Sequence, residues 1–216
     1  YGALAIHLCL AFWSLYRRRT LRLSRWEWAQ WILGASIVPL GTIHVVGTRL
    51  AYELYNVDSG YPWVLGSLLA SDWTSVARQF ALPLAVWLHA CIGLHFAWRL
   101  RPWYAAWLPA LYAFALLVPI AGIAGAGIAL RDVAELAQRP GFLDELFARA
   151  RVPAAAQIAT LYAIADALQY TALGLLAALL AARPLRALWE RRAGVVQLSY
   201  GERRKVSHAT GLTVLE

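Results

Sequence analysis

The chain has 216 residues, 61% of them hydrophobic, and a formal net charge of +8 at pH 7. A soluble domain holds roughly 45–50% apolar residues, so the excess, with a mean hydropathy of +0.53, excludes an ordinary soluble domain. The positive charge does not indicate a nucleic-acid partner, because the basic residues cluster beside apolar runs as they do at membrane edges. Eleven tryptophans and ten tyrosines suit the aromatic belts of a membrane protein. Cys9 and Cys91 both lie in apolar runs and form no CxxC pattern, so neither a thiol redox motif nor a zinc site is indicated.

Five apolar runs predict an all-α membrane protein, a bundle of five transmembrane helices, with membrane lipid as its surroundings. The first run, Tyr1–Tyr16, is short; the others are about Trp28–Thr48, Phe80–Leu100, Trp103–Leu130 and Ala154–Ala182. A span needs about 20 apolar residues, and the last four reach it. The chain has no methionine and opens inside an apolar run, which predicts an internal fragment with one more helix upstream. Its first basic cluster follows the apolar run, the reverse of signal-peptide order. After Arg192, "GVVQLSYGERRKVSHATGLTVLE" alternates polar and β-branched residues between glycine turns. The expectation is a domain of residues 1–192 in the membrane, and a short β-type tail, residues 193–216, that begins a truncated cytoplasmic domain.

Charge sets the expected orientation. "RRRTLRLSR", "RLRP" and the segment after Ala182 are rich in arginine, whereas the connections between them carry Glu53, Asp58, Asp72 and the mixed-charge run "RDVAELAQRPGFLDELFARARVP". The positive-inside rule places the arginine clusters and the C-terminus in the cytoplasm. Phe142, Leu146 and Phe147 have helical spacing in the second outer loop, which predicts a helix lying on the membrane surface.

Four of the five histidines fall in apolar runs: His7, His44, His89 and His95. An ionisable group in lipid needs a partner and is often functional. Each has two readings, a neutral ring bonded to a nearby carbonyl or hydroxyl, or a metal ligand. At 1.5 Å per residue, His7 lies roughly 13 Å and His89 roughly 17 Å from the cytoplasmic edge, similar depths that suit the two axial ligands of one haem. His44, at roughly 24 Å, belongs to the outer half, and His95 lies only about 8 Å in. His95 is also roughly 120° around the helix from His89, so one haem face cannot use both. Gly93 shares the His89 face, where a flat macrocycle can approach the backbone, and Gly41 flanks His44 in the same way. Helix packing explains such glycines equally well.

The segments "AIHLCLAFWSLYRR", "GASIVPLGTIHVVGTRLA" and "LHACIGLHFAWRL" resemble the ligand helices of the dihaem cytochrome b anchors of succinate dehydrogenases and fumarate reductases. More closely, the whole run resembles the membrane region of bacterial class III adenylate cyclases that carry such an anchor. "GLTVLE" looks like the start of the ferredoxin-like domain that follows it there. The resemblance implies one or two haem b groups in a bacterial cytoplasmic membrane, with His7 and His89 on the inner haem and His44 on the outer one. The second outer ligand would lie upstream of Tyr1. It also implies a quinone partner, a homodimer through the parent protein, and a downstream iron–sulfur cluster and cyclase catalysis, neither of whose residues is in this chain. Bis-histidine iron suits electron transfer, not oxygen activation. Arg17, Arg18 and Arg99 near the inner face, and Arg49 or Arg131 near the outer one, can pair with haem propionates; topology and lipid headgroups explain them as well. His95 has three readings: a propionate bond, a quinone pocket, or packing.

Asp166, with Gln169 and Tyr170 close by, sits well inside the fifth run. It reads either as a proton-relay or quinone contact or as a hydrogen bond between helices. "GIAGAG" from Gly122 to Gly127 permits close helix contact. Two other functions stand beside the haem anchor: a structural or dimerisation module without haem, and a transporter-like bundle with a polar path.

Overall fold

The computed structural model describes residues 2–18, 20–192, 195–200 and 204–209. In chain order the helices are α1 (Gly2–Arg17), α2 (Arg25–Val45), a π-helical turn (Val46–Leu50), α3 (Ala51–Tyr55), α4 (Tyr61–Ala70), α5 (Trp73–Trp98), α6 (Tyr104–Leu136), α7 (Phe142–Ala150) and α8 (Ala155–Arg192). Strands β1 (Val195–Tyr200) and β2 (Arg204–Ala209) follow and pair antiparallel, with Val195 opposite Ala209 and Tyr200 opposite Arg204. Residues 211–216, the expected start of a ferredoxin-like domain, lie outside the described residues.

Four helical stretches are long and apolar enough to cross a membrane: Arg25–Tyr55, Trp73–Trp98, Tyr104–Leu136 and Ala155–Trp189. This is the make-up of a multi-pass membrane protein. Helix α1 has 16 residues, about 24 Å, and falls short of a full span by its described length. The large apolar side chains of α6 point outward, Leu116, Leu117 and Ile120 among them, as lipid-facing residues do.

Polar residues fix where the helices begin. Ser24 caps α2 with a full capping box: its hydroxyl accepts from the Glu27 amide at 3.3 Å, and the Glu27 carboxylate accepts from the Ser24 amide at 2.9 Å. That pair closes the basic loop and starts the helix three residues before the apolar run. Asp72 caps α5 by accepting from the Ser75 amide at 2.9 Å. This backbone hydrogen bond, the largest cause, holds the Asp72 carboxyl below its ordinary value.

Two compact units make up the chain, residues 23–169 and residues 1–22 with 170–216. Within the first, α2 packs on α5, α5 on α6, and α4 on both α6 and α7. Its core joins Val46, Ala51 and Val57 to Leu161 and Ala165 on the first turns of α8. The Trp87 indole donates to the Ala115 carbonyl at 2.9 Å, tying α5 to α6. Helix α4 occupies what the sequence offers as an outer loop, begun by Gly60 and a proline in its first turn. The α7 helix forms where expected, but its apolar side packs on protein. A Cβ built on Gly66 would meet Leu146, Leu143 and Phe147. The sequence shows a surface-active face, and α4 covers it, because the missing side chain at Gly66 lets the two short helices meet.

In the other unit, α8 arginines cap the end of α1. Arg183 donates twice to the Arg18 carbonyl, at 2.6 and 3.2 Å, and Arg186 donates to the Arg17 carbonyl at 3.2 Å while lying over the Tyr16 ring. Guanidinium groups at a helix C-terminus satisfy its open carbonyls and complement its dipole. At Gly122, Gly125 and Gly127 a Cβ would meet nothing within 4 Å among the described residues. Those glycines are exposed on α6.

Candidate functional site

His89 is held between α5 and α2. Its Nδ1 lies 3.1 Å from the Gln30 carbonyl oxygen and its Nε2 lies 3.4 Å from the Gln30 side-chain nitrogen. A carbonyl only accepts, so Nδ1 carries the proton in this bond and Nε2 presents its lone pair to the amide. Turning the amide over would put oxygen against Nε2 and require protons on both ring nitrogens. The Gln30 Oε1 atom is buried and has no hydrogen-bond partner among the described residues.

Two glycines make room for this pair, one on each helix. A Cβ on Gly34 would lie 2.9 Å from His89 Cε1, and a Cβ on Gly93 would lie 3.2 Å from Gln30 Nε2. The ring therefore lies on the α2 backbone, and the Gln30 amide lies on the α5 backbone. Gly93 was expected to admit a macrocycle; in this structure it admits Gln30.

His95 makes a 2.7 Å hydrogen bond from ring Nδ1 to the Tyr104 hydroxyl, across the short corner between α5 and α6, with the two rings edge to face. Beside it, Arg99 lies over the Phe96 ring, 5.2 Å from its centroid. Of the three readings of His95, packing has a visible partner.

His44 and His7 are exposed. The His44 carbonyl accepts from Thr48 Oγ1 at 2.6 Å, in the π-helical turn that follows. Such turns add one residue to a helix and occur often at functional sites. Gly41 has nothing within 4 Å of a built Cβ, so the His44 side of α2 is open there. One turn further on, Thr48, Arg49, Tyr52 and Ser59 line an open concavity of about 340 Å³.

Arg49 and Arg131 are engaged by acids close by in the same helical stretch. Arg49 pairs with Glu53, and Arg131 pairs with Asp132 at 3.3 Å and Glu135 at 3.8 Å. These pairs lie on exposed surface. The four-residue spacing puts each base beside an acid one turn on. Arg17 lies over Trp13 at 5.9 Å. The Arg17 and Arg18 carbonyls accept from arginines of α8, as described above.

Asp166 is exposed on α8, not enclosed, as is Tyr170, with Gln169 half-buried. No hydrogen bond or ion pair of the Asp166 carboxyl is present among the described residues. An aspartate at the centre of a span costs about 3 kcal/mol on insertion scales, so its exposure on this helix is the sharpest departure from an apolar surface.

The described residues contain no group of three or more His, Cys, Asp or Glu side chains placed to hold a metal ion. Bis-histidine haem needs only two ligands from the chain, so that finding does not bear on it. No family model, curated protein or solved structure matches the chain.

Sequence reasoning missed Gln30 and Gly34. A polar residue one turn before a glycine in an apolar run is their only signal. It also missed Tyr104 as the partner of His95. The nine-residue separation across "RLRPW" is that signal, since a tight corner brings the two helix ends together.

Proposed function

We propose that this chain is a membrane cytochrome b-like anchor that binds haem b through histidine pairs and relays a redox change toward a cytoplasmic domain. The observation that carries the reading is the setting of His89. Its Nδ1 donates to a backbone carbonyl, which fixes the ring orientation and the tautomer that leaves Nε2 as the donor to a metal. In that arrangement the uncharged Gln30 amide lies against Nε2 at 3.4 Å, a long contact for a hydrogen bond. The residues thus fit an axial ligand. The haem, when bound, supplies one-electron transfer.

The chain's own part is to orient and to insulate. The Gln30 carbonyl aims His89, and Gly34 and Gly93 let the two helices close on it. His7 is the proposed second ligand of the inner haem. His44, with the concavity at Thr48, Arg49, Tyr52 and Ser59 one turn away, is the proposed outer ligand. Arg17, Arg18 and Arg99 lie on the arginine-rich side that the positive-inside rule assigns to the cytoplasm. The proposed setting is a bacterial cytoplasmic membrane, crossed five times with α1 included, with the β1–β2 hairpin opening a ferredoxin-like domain ahead of a cyclase. Quinone is the proposed redox partner, reaching Asp166, Gln169 and Tyr170 from the lipid phase.

A second reading rests on the same residues. His89 and His95 each have a protein partner, Gln30 and Tyr104, and can serve as polar staples between helices in a haem-free anchor. An absorption spectrum of the purified protein separates the two. A Soret band with reduced α-bands of low-spin haem supports the redox anchor, and a spectrum with aromatic absorption alone supports the staple.

A further inference from the structure

We infer that the corner where α8 meets the end of α1 binds the headgroup of an anionic phospholipid, with Arg183 and Arg17 as its phosphate-binding residues. This inference rests on the membrane-spanning make-up of the chain and is independent of the haem reading. The corner lies wholly within the unit of residues 1–22 and 170–216. Across residues 1–22 and 170–192, eight arginines stand against a single acid, Glu190. Arg183 and Arg186 donate to the Arg18 and Arg17 carbonyls. A carbonyl is neutral, so these bonds satisfy backbone groups without cancelling the charge of either guanidinium. Neither Arg17 nor Arg183 pairs with a carboxylate among the described residues.

Arg183 has the geometry that phosphate requires. A guanidinium carries five N–H donors in a planar fork. Nε and Nη2 of Arg183 both donate to the Arg18 carbonyl oxygen, at 3.2 and 2.6 Å, which spends one edge of the fork and holds the group in place. The other edge, one N–H from each of Nη1 and Nη2, keeps the parallel pair that matches two phosphate oxygens. The occupant is a lipid and not a soluble anion, because each arginine has an exposed apolar side chain one turn closer to the middle of its own helix. Trp13, 59% exposed, precedes Arg17 by four residues, and the Arg17 guanidinium lies over its ring at 5.9 Å. Leu180, 40% exposed, precedes Arg183 by three. Residues three and four apart share a helix face. Each face therefore runs from apolar to charged toward the helix end, as a phospholipid runs from acyl chain to phosphate. Tryptophan and arginine meet in this way at the headgroup level of a bilayer, and clustered arginines beside a span select anionic lipid there.

The test places the full chain in nanodiscs of mixed phosphatidylcholine and phosphatidylglycerol and counts the lipids that stay bound on release, by native mass spectrometry. The native chain should retain phosphatidylglycerol in preference to phosphatidylcholine. One basic residue near a membrane surface contributes a factor of about five to the binding of anionic lipid. Arg17→Gln and Arg183→Gln should therefore each reduce the preference about fivefold, and Arg149→Gln on α7, whose partner is Glu145, should leave it unchanged. Excess inorganic phosphate should not displace the lipid, since it has no acyl chain to lie on Trp13 and Leu180. Arg17→Gln keeps the inference testable if Arg183→Gln, which uncaps α1, fails to fold. Equal retention of the two lipids, an equal loss in Arg149→Gln, or displacement by inorganic phosphate would each overturn it.

Discussion

Gly34→Ala probes the close contact between α2 and α5 at His89. The added carbon would sit 2.9 Å from His89 Cε1, where carbon atoms prefer about 3.5–4.0 Å. The ring cannot retreat freely. Its Nδ1 is bonded to the Gln30 carbonyl at 3.1 Å and its other edge meets the Gln30 amide. Moving it sacrifices a hydrogen bond of about 1 kcal/mol, and leaving it in place compresses a packed contact at about 1–3 kcal/mol. The replacement also gains helix propensity, up to about 1 kcal/mol, so the net expected loss is about 0–2 kcal/mol, and about 1–3 kcal/mol relative to a glycine with open space around it. Gly122→Ala supplies the control, because its Cβ meets nothing within 4 Å, and it keeps the propensity gain without the clash. Reversible unfolding of both variants in mixed detergent micelles measures the difference. If Gly34→Ala is as stable as Gly122→Ala, the reasoning about the α2–α5 contact fails.

Asp72 predicts a dependence on acid. Its carboxyl is held below the ordinary value of 3.8 in the fold by the Ser75 amide, so its stabilisation is complete above the unfolded value and vanishes as pH falls through the lower folded value. Asp72→Asn should therefore unfold more easily than the native chain at pH 6, with the gap narrowing toward pH 3. Tyr104→Phe removes the hydroxyl bonded to His95 and should cost about 1 kcal/mol; a double-mutant cycle with His95→Ala should show coupling, and additive losses would contradict the bond. A membrane-impermeant thiol reagent applied to intact cells should label Ser71→Cys and spare Thr20→Cys; the reverse pattern would invert the proposed topology.

Much of the helical architecture is legible in the sequence, since long apolar runs bounded by arginine leave few alternatives. The starts of α2 and α5 are legible too: "SRWE" and "DWTS" place an acceptor side chain where open amides need one. Helix α4 is harder to read, because ten apolar residues are too few to span and look like a loop between acids. The role of each glycine is not readable along the chain. Gly34 and Gly66 meet neighbours while Gly122 and Gly125 meet none, and only the tertiary arrangement makes that distinction. Histidine partners are hidden for the same reason. Gln30 lies far from His89 in sequence, so depth and rotation could rank the histidines without finding what holds them. The pairing of Arg49 with Glu53 was open to reading from its four-residue spacing alone.

The most direct measurement of the central claim is haem per protein, by pyridine haemochrome, in the purified native chain and in His89→Ala and His7→Ala. The account predicts low-spin haem in the native protein and a large loss in each variant, with the fold retained by circular dichroism. A native chain that purifies without haem after expression with ample haem supply, or variants that keep it in full, would contradict the account.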